Sequence, residues 1–265
     1  MDRSTDESPL WLRCFTAAPE APVQLVCLPH AGGSAGSYLS LSAALAPEVE
    51  VLAVQYPGRQ DRRAERCADS IAELTDRLVR VLVAREDDRP MALFGHSMGA
   101  VLAFEIARRL EESGGARAPV ALLVSGRRAP HLRGEDGDLR DDEGILRNVR
   151  LLDAATATAL DDPDLRELVM PALRGDYRAT ETHVHVPGPP LRCPVVALTG
   201  DADPVAPVAD VARWRPYTRG PFALHVFDGG HFYLTARSGE VGSVIHDHLV
   251  HAARQSCGRA AGPRP

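Results

Sequence analysis

The sequence predicts an α/β fold, a mostly parallel central sheet flanked by helices, with a helical lid inserted between two core strands. Three observations carry that prediction. Short β-branched and apolar runs alternate with longer stretches whose apolar residues recur at helical spacing, the pattern of βαβ units. Several of the short runs are apolar almost throughout, as strands buried on both faces of a parallel sheet are. Between about 127 and 190 the alternation stops, and no convincing strand occurs there.

Taken in order, strands are expected over 10–15, 23–28, 49–54, 91–95, 120–125, 195–199 and 223–227. Helices are expected over 37–45, 70–84, 98–112, 207–216 and 239–253. In 70–84, Ile71, Leu74, Leu78, Val79 and Leu82 form one apolar stripe. The interrupting segment opens on charged, Gly-rich sequence from Arg133 to Glu143 and holds helical pieces such as 164–174. It closes on Pro187-Gly188-Pro189-Pro190. A structureless loop of that length is uncommon in a compact domain, so a helical cap is expected over about 127–190. The 265 residues read as one domain, with 1–8 and 258–265 as frayed tails.

Composition removes whole classes of chemistry. All 30 basic residues are arginine, and the chain contains no lysine. Schiff-base, P-loop and Ser–Lys mechanisms are therefore excluded. A net charge of -6 argues against a general nucleic-acid binder. The apolar runs are strand-sized, too short to span a membrane, and the N-terminus lacks a signal-peptide pattern. Five widely spaced cysteines form no CxxC, and no metal-ligand spacing occurs, so reduced thiols and a cytoplasmic, metal-free protein are expected.

The sharpest motif is Gly95-His96-Ser97-Met98-Gly99, at the junction of the 91–95 strand and the 98–112 helix. A serine at such a turn takes a strained backbone and projects its hydroxyl above the sheet, while small neighbours let strand and helix approach. Serine needs a histidine to take its proton and an acid to orient that histidine, in the chain order Ser, Asp, His. Gly200-Asp201-Ala202-Asp203-Pro204 follows a strand end, where ligands of such sheets bind. Asp203 is the favoured acid, because Asp201 is placed to bond the turn itself. Gly229-Gly230-His231 follows the last strand and supplies the base, whereas the other nine histidines have structural readings. His96 reads as packing behind the serine. Small residues in Leu28-Pro29-His30-Ala31-Gly32-Gly33 suit an oxyanion hole made by the amides of Met98 and Ala31, with Gly32 as the alternative to Ala31.

These motifs, with Tyr56-Pro57-Gly58-Arg59 and Ser125-Gly126-Arg127-Arg128-Ala129-Pro130, occur together in an order that resembles the type II thioesterases. Those are the stand-alone editing enzymes of polyketide and nonribosomal peptide synthesis. The resemblance covers about residues 10–250. It implies an α/β-hydrolase fold with a helical lid, a Ser97–His231–Asp203 triad, and no cofactor of its own. It implies as substrate an acyl group on the phosphopantetheine arm of an acyl or peptidyl carrier protein, and so a carrier-protein partner. Because the enzyme is acidic, docking is expected to use local arginines: Arg59, with Arg62, Arg63 and Arg66, and Arg127 beside Arg128, together with His30. Leu151, Leu152, Leu160, Leu168, Val169, Met170 and Leu173 are expected either to line an acyl chamber or to form the cap's own core. A monomer is expected. A carboxylesterase, a chain-releasing or medium-chain thioesterase, and a non-catalytic carrier-protein binder are the rival readings.

Overall fold

The buried runs pair edge to edge, so the sheet sets the order in which the loops meet. The computed structural model describes residues 7–114, 117–132 and 141–260. Its first half runs α1 (Ser8–Trp11), β1 (Leu12–Arg13), β2 (Val23–Leu28), α2 (Leu39–Leu45), β3 (Val49–Val54), α3 (Ile71–Ala84), β4 (Met91–His96), α4 (Met98–Glu112) and β5 (Leu122–Ser125). Then come α5 (Asp142–Leu152), α6 (Ala154–Ala159), α7 (Pro163–Thr182), β6 (Val195–Gly200), α8 (Val208–Val211), β7 (Phe222–Phe227), α9 (Tyr233–Ala236) and α10 (Ser238–Ala260). The seven strands form one sheet in the order β1-β3-β2-β4-β5-β6-β7. All neighbours are parallel except β1, which lies antiparallel on β3 with Leu12 opposite Val54.

Strand side chains alternate between two cores, one on each face. Val26, Leu28, Leu52, Val54 and Leu93 meet α3 and α4 on one side. Leu25, Cys27, Val51, Ala53 and Phe94 meet α2 and α10 on the other. This two-sided burial explains why β2, β3, β4 and β6 read as almost continuous apolar runs, Gln24 and Glu50 excepted. The edge strand β7 departs from it, being half-buried over most of its length.

The structure differs from the sequence expectations at a few places, each for a local reason. Of the expected 10–15 strand, Leu10 and Trp11 close the helical turn α1, whose first turn holds Pro9, and only Leu12–Arg13 form β1. Over 207–216 the chain makes only the short α8 and a 3₁₀ turn, Ala212–Tyr217, that contains Pro216. The helix expected over 164–174 runs on to Thr182 despite Pro171 inside it. Its start is well fixed: Asp162 accepts the amides of Asp164 and Leu165 at 2.9 and 3.3 Å, and Pro163 follows. Of the expected tails, Ser8 opens α1 and 258–260 belong to α10, while 1–6 and 261–265 lie outside the described residues. So do 133–140 of the charged stretch. Among the described residues, no helix is long and apolar enough to cross a membrane.

Candidate active site

From β2 the chain steps one way along the sheet to β3, and from β4 it steps the other way. The turns after β2 and β4 therefore diverge at the carboxyl edge, where doubly wound sheets hold ligands. Leu28 pairs with Gly95, so the 29–33 turn and the serine turn are neighbours. Ser97 separates β4 from α4 with φ 55° and ψ -113°, a left-handed conformation costly for any residue but glycine. Its amide donates to the Ser125 carbonyl at 2.9 Å, locking the turn to β5. A Cβ on Gly95 would lie 2.0 Å from the Gly99 oxygen, and one on Gly99 would lie 2.0 Å from the Leu28 oxygen. Only glycines let β2, β4 and α4 come this close. Met98 is the first residue of α4, so its amide has no partner within the helix and lies at the positive end of the helix dipole.

Asp203 and His231 come from the loops after β6 and β7. His231 Nδ1 lies 2.8 Å from Asp203 Oδ2, and both side chains are buried. The other carboxylate oxygen accepts the Val205 and Ala206 amides at 2.9 and 3.0 Å. An ionised acceptor of this kind fixes the proton on Nδ1 and leaves the Nε2 lone pair free. That Nε2 is buried and has no hydrogen-bond partner among the described residues. Asp201, expected to bond its own turn, is instead exposed, and its carboxylate accepts the Gly229 amide of the next loop at 3.0 Å. It thereby ties the acid loop to the histidine loop.

Behind His231, His96, expected only to pack, joins a buried polar chain. The His96 ring stands 4.8 Å from that of His231, between ring centroids. His96 Nδ1 contacts Ser125 Oγ at 2.9 Å, and Ser125 Oγ contacts the Tyr233 hydroxyl at 2.6 Å. Burial, and then the neighbouring His231 and His30, hold the His96 pKa well below the usual histidine range, so it is neutral. Gly126 closes the back of this group at φ +57°, where a Cβ would meet His96 Cε1 at 2.6 Å and His231 Cε1 at 3.3 Å.

Ser97, Met98, Ala31, His30, Arg127 and His231 all border one cavity of about 790 Å³ beneath α5–α7. The two oxyanion alternatives separate here. The Gly32 amide donates to Asp176 Oδ2 at 2.7 Å, whereas no hydrogen bond engages the Ala31 amide among the described residues. His30 packs edge-on against Phe232 at 4.8 Å, and burial, with His231 and Arg59 adding to it, lowers its pKa to about 4. The cap leucines divide as well. Leu152, Leu160, Val169 and Leu173 border the cavity, and Leu160 and Leu173 also join Met170 in the cap's own core. Leu151 and Leu168 face outward.

Arg59 corrects an expectation. It does not stand at the surface to meet a carrier protein but is buried against Asp176, its two terminal nitrogens 2.6 and 2.9 Å from the two carboxylate oxygens. Burial alone would lower its pKa, and the Asp176 carboxylate overrides that and raises it. Arg62 is buried too, over the Trp11 ring at 4.3 Å and paired with Glu65 at 2.7 Å. A guanidinium so enclosed cannot also bind an incoming phosphate. Arg66 is exposed but paired with Glu73 at 2.6 Å. Arg128 donates to the Val205 carbonyl at 3.0 and 2.6 Å and supports the acid loop. Asp176 itself went unnoticed in the sequence. Its signal is a lone acid on the apolar face of α7, set between Ala172, Leu173 and Ala179.

The pattern of the family described as "Thioesterase domain" matches residues 23–249. Thioesterase PikA5 of Streptomyces venezuelae is 49% identical over 92% of this chain and 87% of its own length. The type II thioesterase BorB from the borrelidin biosynthetic cluster has 50% identity and a TM-score of 0.82, over 91% of this chain and 98% of its own. YbtT, a type II thioesterase from the Yersiniabactin NRPS/PKS pathway, has 33% identity and a TM-score of 0.80, over 91% and 99%. With its α/β-hydrolase sheet and a serine at the elbow, this chain belongs to the thioesterase family, in its type II branch.

Proposed function

We propose that this chain hydrolyses acyl groups from the phosphopantetheine arm of acyl or peptidyl carrier proteins, in editing or release during polyketide or nonribosomal peptide synthesis. Ser97, His231 and Asp203 are the proposed triad, with the Met98 and Ala31 amides as oxyanion donors. The observation that carries the reading is the buried Asp203–His231 pair, with an unpartnered Nε2, bordering the same cavity as the strained Ser97.

In this mechanism His231 Nε2 takes the Ser97 proton as Oγ bonds to the thioester carbonyl carbon. The oxyanion is held by the two amides, and the imidazolium by Asp203. The C–S bond then breaks, and the pantetheine thiol leaves with the proton from His231. Water attacks the acyl-serine while His231 accepts its proton, and the C–O bond to Ser97 breaks as that proton returns to Oγ. The products are a free acid and the carrier thiol. A thiol leaves more readily than an alcohol or an amine, which suits a plain serine site. Arg127 and His30, at the cavity wall, are the proposed contacts of the arm.

The test is hydrolysis of a panel of acyl groups on one carrier protein, with Ser97→Ala as control. Free acid released only by the Ser97 protein supports the reading. Faster turnover of simple oxygen esters than of carrier thioesters would favour a carboxylesterase, and a cyclic product a chain-releasing enzyme.

A further inference from the structure

The 29–35 turn, which contains the Ala31 amide, is gripped at four points. The Tyr56 hydroxyl donates to the Pro29 carbonyl at 3.1 Å, and the Ala35 amide donates to Gln55 Oε1 at 3.0 Å. Arg59 Nη1 donates to the Gly33 carbonyl at 3.1 Å. The fourth grip differs in origin: the Gly32 amide donates to Asp176, a residue of the cap helix α7 and not of the sheet. The same Oδ2 accepts Arg59 Nη1 at 2.6 Å, so one buried carboxylate holds both the Gly32 amide and the guanidinium that holds Gly33. Asp176 is fully buried. A buried carboxylate–guanidinium pair is a poor source of net stability, so its presence asks for another explanation.

We propose that Asp176 is a positioning residue for the oxyanion site. It draws the Gly32 amide away from the cavity and fixes the peptide plane after Ala31, and through Arg59 it holds Gly33, whose amide donates to the His30 carbonyl of the plane before Ala31; together these aim the Ala31 amide at the developing oxyanion. This rests on the triad reading above and adds to it that the oxyanion turn is set from the cap. The helix α7 also presents Val169, Leu173, Tyr177 and Thr180 to the cavity. One rigid element thus bears on both the acyl group and the donor that stabilises its transition state.

The experiment compares wild type, Asp176→Ala, Asp176→Asn and Ser97→Ala on an acyl-N-acetylcysteamine thioester, which bypasses carrier docking. Melting temperatures and the affinity of an alkylboronic acid, which mimics the tetrahedral intermediate, are measured alongside. Removing an oxyanion donor costs about 10²–10³ in kcat, so Asp176→Ala should lose about 10²-fold in kcat with KM within about threefold. Boronate affinity should fall in parallel with kcat/KM. Asp176→Asn, whose amide oxygen still accepts from Gly32, should recover about tenfold of the loss. A purely structural role would lower the melting temperature and leave boronate affinity and kcat of the folded fraction unchanged, and that result overturns the proposal. If Asp176→Ala does not fold, Asp176→Asn decides alone: a parallel loss of kcat and boronate affinity supports the proposal, and wild-type values for both overturn it. Hydrolysis that persists in Ser97→Ala would instead sink the triad reading, so the two failures are distinguishable.

Discussion

Asp203 and His231, on the sheet side of the cavity, are 4% and 1% exposed, whereas Leu151 and Leu168 on the helices that cover it are each 60% exposed. The sheet side is held by backbone bonds that tie its loops to neighbouring strands, Ser97 to Ser125, Gly126 to Leu198 and Asp201 to Phe227, and one loop to another, Ala202 to Gly229. The cover has a small core of its own, built around Ile145, Val149, Met170 and Tyr177. Groups that must meet within hydrogen-bonding distance lie where the backbone is doubly anchored. Groups that exclude water and border the acyl cavity lie on three packed helices, tied to the 29–33 turn through Asp176. Where geometry matters, the chain uses polar bonds. Where volume matters, it uses leucines.

That contrast is sharpened by perturbing one side at a time. The largest effect belongs to Asp203→Asn, which keeps the shape of the acid but reverses the histidine tautomer. Single-turnover acylation should fall by about 10⁴-fold with little change in melting temperature. A loss below tenfold would mean that the sheet-side network does not orient His231. Next comes Gly126→Ala, whose new Cβ presses on His96 and His231 from a left-handed backbone. Because misplacement by about 1 Å costs about 10²-fold, kcat should fall by that order while KM holds. Wild-type turnover would show that the wall behind His231 yields.

On the cover, Leu160→Ala removes a side chain shared by cavity and cap core. The expected change is one of selectivity, about tenfold in the ratio of kcat/KM for a bulkier over a smaller acyl thioester. An unchanged ratio would show that Leu160 does not bound the acyl group. A smaller effect follows from pH. His30 titrates at about 4, and His96 well below the usual range, whereas both recover a value near 6.5 in the unfolded chain. The unfolded state then binds more protons, so this stability is complete above pH about 6.5 and is lost as pH falls towards about 4. Urea midpoints at pH 7.5 and pH 5 should differ in that direction, and a protein equally stable at both would contradict neutral burial of the two rings. The smallest effect is that of Leu168→Ser, outward on the cap, expected to shift stability by less than about 0.5 kcal/mol. A larger cost in thermal unfolding would show that the outer cap face is packed against something.

Most of the sheet was legible in the sequence because two-sided burial leaves almost continuous apolar runs, and β2, β3 and β4 fall where those runs lie. The ends were less legible. Two residues of antiparallel edge strand in β1 carry too little pattern to distinguish from a helical turn. At the site, Ser97, Asp203 and His231 each announce themselves by a glycine-flanked turn at a strand end. Asp203 is the acid nearer the proline exit of its loop, and it is the one whose carboxylate lies 2.8 Å from His231 Nδ1. Arg59 and Asp176 were misread or missed for a common reason: they lie far apart in the chain, and each alone resembles a solvated charge. Their meaning is a contact, and a single sequence holds no record of contacts. The Ser125–Tyr233 link behind His231 was hidden in the same way.

The two glycines flanking the elbow carry a consequence for descent. Positions 95 and 99 admit no side chain at all, since any Cβ there would overlap a carbonyl oxygen at 2.0 Å. Position 97, between them, carries a side chain on a left-handed backbone, at φ 55°. The turn is thus a socket whose frame is frozen and whose tool is interchangeable. On the proposed mechanism, a cysteine at 97 would keep this architecture, whereas any side chain at 95 or 99 would displace the backbone on which the nucleophile stands.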